Sequence, residues 1–217
     1  MNQQTVIAAI ADEVRSKLDD ESSGHDWWHI HRVWQMARRL SQNYDVEIPI
    51  VELAALLHDI ADWKMHGGDE TVGARVARSI LERRQVQEEV IRAVCSIISE
   101  ISFKGAGVVS EPSTIEGKIV QDADRLDAIG AIGIARAFAY GGYARQTMHD
   151  PDTQPVIRMS KEEYIANRGS TINHFHEKLF LLTERMNTRE AKDIAQNRRE
   201  YMPRSIERFH QEWDGLA

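Results

Sequence analysis

The chain has 217 residues, of which 42% are apolar and 28% charged, and carries a formal net charge of −7. That length supports one domain with a real core, or at most two small ones, and the composition excludes a disordered chain. The acidic balance disfavours duplex DNA as a partner, and no window approaches the roughly 20 apolar residues that a membrane span needs.

A single cysteine, Cys95, lies among Val94, Ile97 and Ile98, so an intrachain disulfide cannot form and the thiol reads as a small core side chain. The first residues lack a basic stretch followed by an apolar run. No signal peptide is expected, and a cytoplasmic location is.

Apolar residues recur at helical spacing along nearly the whole chain. Val6, Ile10, Val14 and Leu18 mark a first helix, and Val33, Met36, Ala37 and Leu40 a second. Val51, Ala54, Ala55 and Ile60 follow Pro49 as a short third. Val72, Val76 and Ile80 lead a fourth, and Val90, Val94, Ile97 and Ile101 a fifth. Further helical patterns fall at Ile115 and Ile119, over 128–140, around 174–186 and over 191–213. Alternating strand patterns are nearly absent, so the expected fold class is all-α, with about eight to ten helices of ordinary length. Gly67-Gly68, Gly105 with Gly107, and Gly141-Gly142 punctuate the pattern as loops. The stretch 141–160, with Pro151 and Pro155, is the expected mobile lid or disordered loop. No repeat or boundary divides the chain.

Histidines crowd the first third. His25, His29 and His31 lie together, Asp59 directly follows His58, and His66 closes the group. Downstream, QDADRLD places carboxylates at Asp122, Asp124 and Asp127. A buried helix with so many acids needs a compensating partner, because an unpaired buried carboxylate costs several kcal/mol. A bound cation is the simplest one. His29 lies one turn before Val33 and so shares its inward face. His58 and Asp59 end the apolar run AALLHD, and Asp124 follows Ile119 and Val120 by about one turn. His29, His58, Asp59 and Asp124 together make a mixed nitrogen and oxygen set suited to Mn, Fe, Co, Ni, Zn or Mg. On an octahedral ion such a set leaves room for water or a substrate oxygen.

The order HDWWHIHRV, then LLHDIADWK, then KIVQDADRLDAIGAIGIARAF resembles the HD superfamily of metal-dependent phosphohydrolases. More narrowly, it resembles the YpgQ- and YedJ-like bacterial branch, in which a nucleotide pyrophosphohydrolase is known. The resemblance runs from about residue 20 to residue 185 and implies one HD-type helical domain over 1–217, with a C-terminal helical extension at 186–217. It implies metal ligands at His29, His58, Asp59 and Asp124. It also implies an acid three residues after the HD aspartate that orients or deprotonates the attacking water, which falls on Asp62, one methylene shorter than the Glu of many relatives. Superfamily members with two metals use further histidines between the second and third motifs. Ser99, Glu100 and Ile101 supply none, so one divalent ion is expected, with Mn, Mg, Co or Ni favoured. The implied reaction is hydrolysis of a phosphate ester or anhydride, and in its narrower form cleavage of a (d)NTP to (d)NMP and pyrophosphate.

Lys64, Lys104 in SFKGAG and Arg125 are the cations nearest in sequence that could meet developing phosphate charge. Asp127, one turn from Asp124, is a further substrate-side candidate, whereas Asp122 reads equally as a cap or an ion-pair partner. His25 has three readings: a solvated residue at a helix start, a group that orients substrate above the metal, or, with Asp26 and His29, an imitation of the HExxH motif of zinc proteases. The last leaves AALLHD and QDADRLD unexplained. Trp27, Trp28 and Trp34 read as packing residues or as base-stacking ones. His174 and His176, two residues apart, fall on different helical faces and do not read as ligands. Two other functions stand beside the hydrolase: a phosphodiesterase acting on cyclic or oligonucleotide substrates, and a non-catalytic nucleotide sensor with a structural metal. The expected partner is a small phosphorylated substrate, bound by a monomer or homodimer.

Overall fold

The computed structural model describes residues 2–19, 24–61, 66–101, 110–157, 159–160, 163, 167 and 169–217. Among them there are helices and turns and no strand, so the protein is all-α. The chain clusters into two compact units. One comprises the described residues among 2–19, 25–101 and 110–124, and the other Gly24 with the described residues from Arg125 onward.

In the first unit the helices are α1 (Gln3–Leu18), α2 (Trp27–Ser41), α3 (Ile48–Leu57), α4 (Val72–Arg83), α5 (Glu88–Ile101) and most of α6 (Ile115–Asp127). The α3 helix is the central element, packed on α1, α2 and α5, while α4 packs on α5. Its sequence, IPIVELAALL, is apolar around the whole circumference, and every residue from Val51 to Leu57 is buried. That is the pattern of a helix enclosed by neighbours. Pro49 stands in the first turn, where a missing N–H leaves no bond unmade. Ile60 of the apolar pattern lies beyond the helix, which ends at Leu57. Glu52 is the charge inside this run. It accepts from Trp34 Nε1 at 3.2 Å and lies 3.1 Å from Arg38 Nε, so a polar link ties α2 to α3. Trp27 is buried in the core and Trp28 is exposed on the surface of α2.

The second unit holds α7 (Gly130–Tyr143), α8 (Thr171–His174), a π-helical turn (Phe175–Leu179), α9 (Phe180–Leu182), a 3₁₀ turn (Thr183–Arg185) and α10 (Arg189–Trp213). The α7 helix packs on α8 and α10. A Cβ at Gly141 would stand 2.2 Å from Thr171 Oγ1, so glycine is what permits the close crossing of α7 and α8. The stripe around 174–186 is thus interrupted by a wider turn, which keeps Phe175, Leu179 and Leu182 all buried. The α10 helix runs through Pro203, with Met202 and Ile206 buried on either side.

Within the stretch 141–160, the expected mobile lid or disordered loop, described residues are hydrogen-bonded to 171–173 and to Glu177. The amides of Thr171 and Ile172 donate to the carbonyls of Thr147 and Met148, each at 2.9 Å. Asn173 Nδ2 donates to Thr153 O at 2.9 Å. The buried carboxylate of Glu177 accepts from Val156 N at 3.1 Å and from Asn167 Nδ2 at 2.8 Å. These acceptors and donors are distant in sequence, so the local Gly and Pro content does not reveal them. No helix among the described residues is long and apolar enough to cross a membrane.

Candidate metal centre

Three helices deliver the centre. Asp26 caps α2, its Oδ1 accepting from the amide of His29 at 2.8 Å, and so fixes the first turn that carries His29. His58 caps the C-terminal end of α3 directly after Leu57, and Asp59 follows it. Asp124 comes from α6. His58 Nδ1 donates to the Ala55 carbonyl at 2.8 Å, which leaves Nε2 as the ring's lone-pair nitrogen.

Four donor atoms converge. His29 Nε2 lies 3.2 Å from His58 Nε2, 3.3 Å from Asp59 Oδ2 and 3.6 Å from Asp124 Oδ1. His58 Nε2 lies 3.6 Å from Asp59 Oδ2 and 3.8 Å from Asp124 Oδ1. The imidazoles are buried, but the Asp59 and Asp124 side chains keep 26% and 36% exposure. The cluster therefore has a closed imidazole floor and an open carboxylate side.

This donor set fits a divalent cation. Around an ion with bonds of about 2.1 Å, neighbouring donors stand roughly 3.0 Å apart at right angles and about 3.4 Å apart in a tetrahedron. The five separations run from 3.2 to 3.8 Å, from just below to slightly above the tetrahedral spacing. Two carboxylates and two imidazole nitrogens aimed at one point repel one another unless a positive charge lies among them, and a divalent cation balances both carboxylates. The side chains fall into two groupings of three, His29 with His58 and Asp124, and His25 with His29 and Asp59, which share His29.

His25 precedes the cap of α2, so it does not share a helical turn with His29. Its Nδ1 lies 2.6 Å from Asp59 Oδ2, and its ring meets that of His29 edge-on at 5.7 Å. Burial opposes ionisation of Asp59. Electrostatic attraction from the neighbouring His58 and His25 imidazoles, with hydrogen bonds from His25 and His29, overcomes that effect and holds its carboxyl well below the ordinary carboxylate range. Asp26, as a helix cap bonded to the main chain, is not placed as the base of an HExxH-type site.

Of the other sequence candidates, Asp62, Lys64 and Lys104 lie outside the described residues. Arg125 is buried and donates to the carbonyl of Arg185. Asp127 is buried beside Arg136, with Oδ2 3.1 Å from Nη1. Both side chains thus make contacts within the protein. Asp122 is fully buried on α6. His176 and Phe180 form an edge-on ring pair, 5.2 Å apart. Sequence reasoning did not single out Arg136, although it stands in the GIARAF segment of the third motif.

A model of the HD domain matches residues 27–129, a span that contains His29, His58, Asp59 and Asp124. YpgQ of Bacillus subtilis is 37% identical over 206 residues, covering 94% of this chain and 91% of YpgQ. The crystal structure of YpgQ in complex with ADP superposes with a TM-score of 0.76 and 33% identity, covering 98% of this chain and 97% of that one. A protein of Lactobacillus plantarum of solved structure gives a TM-score of 0.87 at 36% identity, over 99% of this chain and 100% of that one. An HD-superfamily hydrolase from Bacillus thuringiensis gives 0.73 at 42% identity, over 98% and 99% of the two chains. With that identity carried across nearly its full length, the chain belongs to the HD superfamily of metal-dependent phosphohydrolases.

Proposed function

We propose that this protein is a nucleotide pyrophosphohydrolase, cleaving a nucleoside or deoxynucleoside triphosphate to the monophosphate and pyrophosphate. His29, His58, Asp59 and Asp124 would hold one divalent ion, with Mn, Mg, Co or Ni the favoured identities. The observation that carries the reading is the pair of imidazole nitrogens 3.2 Å apart, with Asp59 and Asp124 each within 3.3–3.8 Å of both and the carboxylate side open. The ADP complex of YpgQ supports a nucleotide as the ligand.

Bound there, a divalent cation supplies Lewis-acid chemistry at a phosphoryl group. The chain's own residues do the rest. The Ala55 carbonyl accepts from His58 Nδ1, which turns Nε2 toward the centre as the ring's donor atom. His25 holds Asp59 Oδ2 and fixes the direction of that carboxylate. Asp62, three residues beyond Asp59, is assigned the task of orienting the attacking water and accepting its proton. Lys64 and Lys104 are assigned to the phosphate oxygens, where charge grows in the transition state. Arg125 and Asp127 are the further substrate-side candidates, each also in contact within the protein.

The test is a product screen of the purified protein against nucleotides with Mg, Mn, Co and Ni. Pyrophosphate release from a triphosphate is expected, together with its loss in Asp59→Ala and Asp62→Ala. Activity that survives Asp59→Ala would defeat the assignment. Hydrolysis confined to cyclic or oligonucleotide substrates would favour a phosphodiesterase, and nucleotide binding without turnover a sensor.

A further inference from the structure

Gly24 stands one residue before His25, and one guanidinium grips its carbonyl with two donors. Arg136 Nε and Nη2 donate to Gly24 O at 3.0 and 2.8 Å. Nη1 of the same group lies 3.1 Å from Asp127 Oδ2. Both charged side chains are largely shielded from water, where charge-assisted bonds are strong and directional. Gly24 has φ +87°, and a Cβ there would meet only Arg136 atoms at 3.8 and 3.9 Å. Space would thus admit a side chain, and it is the left-handed backbone that calls for glycine.

The planar peptide that contains the gripped carbonyl also contains the amide of His25, so fixing one fixes the other. His25 needs this, because it lies before the cap of α2 and gains no orientation from the helix. Its imidazole nonetheless meets Asp59 Oδ2 at 2.6 Å. We propose that Arg136, braced by Asp127, is a positioning residue: it sets the Gly24–His25 peptide and through it the imidazole that clasps Asp59. The catalytic consequence rests on the hydrolase reading above. The positioning itself needs no metal.

Two measurements separate these levels. In metal-free protein with ¹⁵N-labelled histidine, long-range ¹H–¹⁵N spectra report the ring state of His25. Wild type should show a His25 imidazole distinct from a free one, and Asp59→Ala should abolish the distinction. Arg136→Met should reproduce the Asp59→Ala spectrum at His25 while the protein remains folded. In turnover, Arg136→Met and His25→Ala should each lower kcat by roughly 10–100-fold, the usual scale for partners that orient a metal-binding side chain. The double variant should fall no more than about twofold below the lower single one, because both act through one element. Gly24→Ala should match Arg136→Met, and Gly24→Asn should retain more activity, since Asn tolerates the left-handed region. An unchanged His25 spectrum in folded Arg136→Met, or losses that multiply in the double variant, would overturn the proposal. If Arg136→Met does not fold, Gly24→Ala poses the same question with the ion pair intact. Absence of metal-dependent hydrolysis in wild type would sink the hydrolase reading, and the imidazole spectrum would still decide the positioning.

Discussion

Loading the centre with a divalent cation should stabilise the folded protein by an amount that mass action sets. Each carboxylate oxygen lies within 3.3–3.8 Å of two imidazole nitrogens that are themselves 3.2 Å apart only in the folded chain, so the ion binds that state selectively. At a free ion concentration 100 times Kd, the gain is about 2.7 kcal/mol. For a chain of this size each kcal/mol moves the midpoint by roughly 2–4 °C, so Tm should rise by about 5–11 °C. Trp27, Trp28 and Trp34 stand on α2, the helix that carries His29, and their fluorescence is the natural probe. Melts would be recorded in EDTA and then across titrations of Mn, Mg, Co and Ni. His58→Ala and Asp59→Ala should abolish the rise, whereas Asp62→Ala should keep it. A folded wild type that shows no rise with any of the four ions, or an undiminished rise in Asp59→Ala, would refute the assignment of the centre.

Three further outcomes concern packing and hydrogen bonding within each unit. Asp69 accepts from Thr71 N and Oγ1 at 2.9 and 2.6 Å and from Arg75 Nη2 at 2.9 Å, and these bonds hold its carboxyl down to about 2. A lowered carboxyl stabilises the fold above its ordinary range and loses that contribution as pH falls through the lowered value. Asp69→Asn should therefore be less stable than wild type near neutrality in urea titrations, with the gap closing as pH approaches about 2. Gly141→Ala forces a methyl against Thr171 Oγ1 and should cost about 1–3 kcal/mol by denaturant unfolding; a cost near zero would contradict the tight crossing of α7 and α8. Glu177→Leu removes the acceptor for Val156 N and Asn167 Nδ2, and limited proteolysis should then cut within 146–157 faster than in wild type.

What the residue pattern disclosed depends on how local each cause is. The helices were legible because apolar spacing is a short-range signal, and the interior position of His29 followed from its place one turn before Val33. His58 and Asp59 at the end of an apolar run announced polar groups in need of partners. The partners themselves were not legible. Arg125 engages the carbonyl of Arg185, and Asp127 faces Arg136, both through contacts that tertiary folding alone creates. Asp26 looked like a base in an HExxH-like string, yet its carboxylate caps α2, a role that depends on where the helix starts. Helix starts are the least certain part of any periodic pattern, and the position of His25 outside α2 follows from the same uncertainty.

The π-helical turn at Phe175–Leu179 bears on how the C-terminal half can change in length. A residue removed from ordinary helical winding beside it would rotate everything beyond by about 100° and carry Leu182 and Met186, now buried, toward the surface. The widened turn rotates less per residue, so losing one residue there while ordinary winding returns leaves the following chain nearly in register. Drift in chain length is therefore expected in exposed connections such as 151–154 or at the widened turn itself.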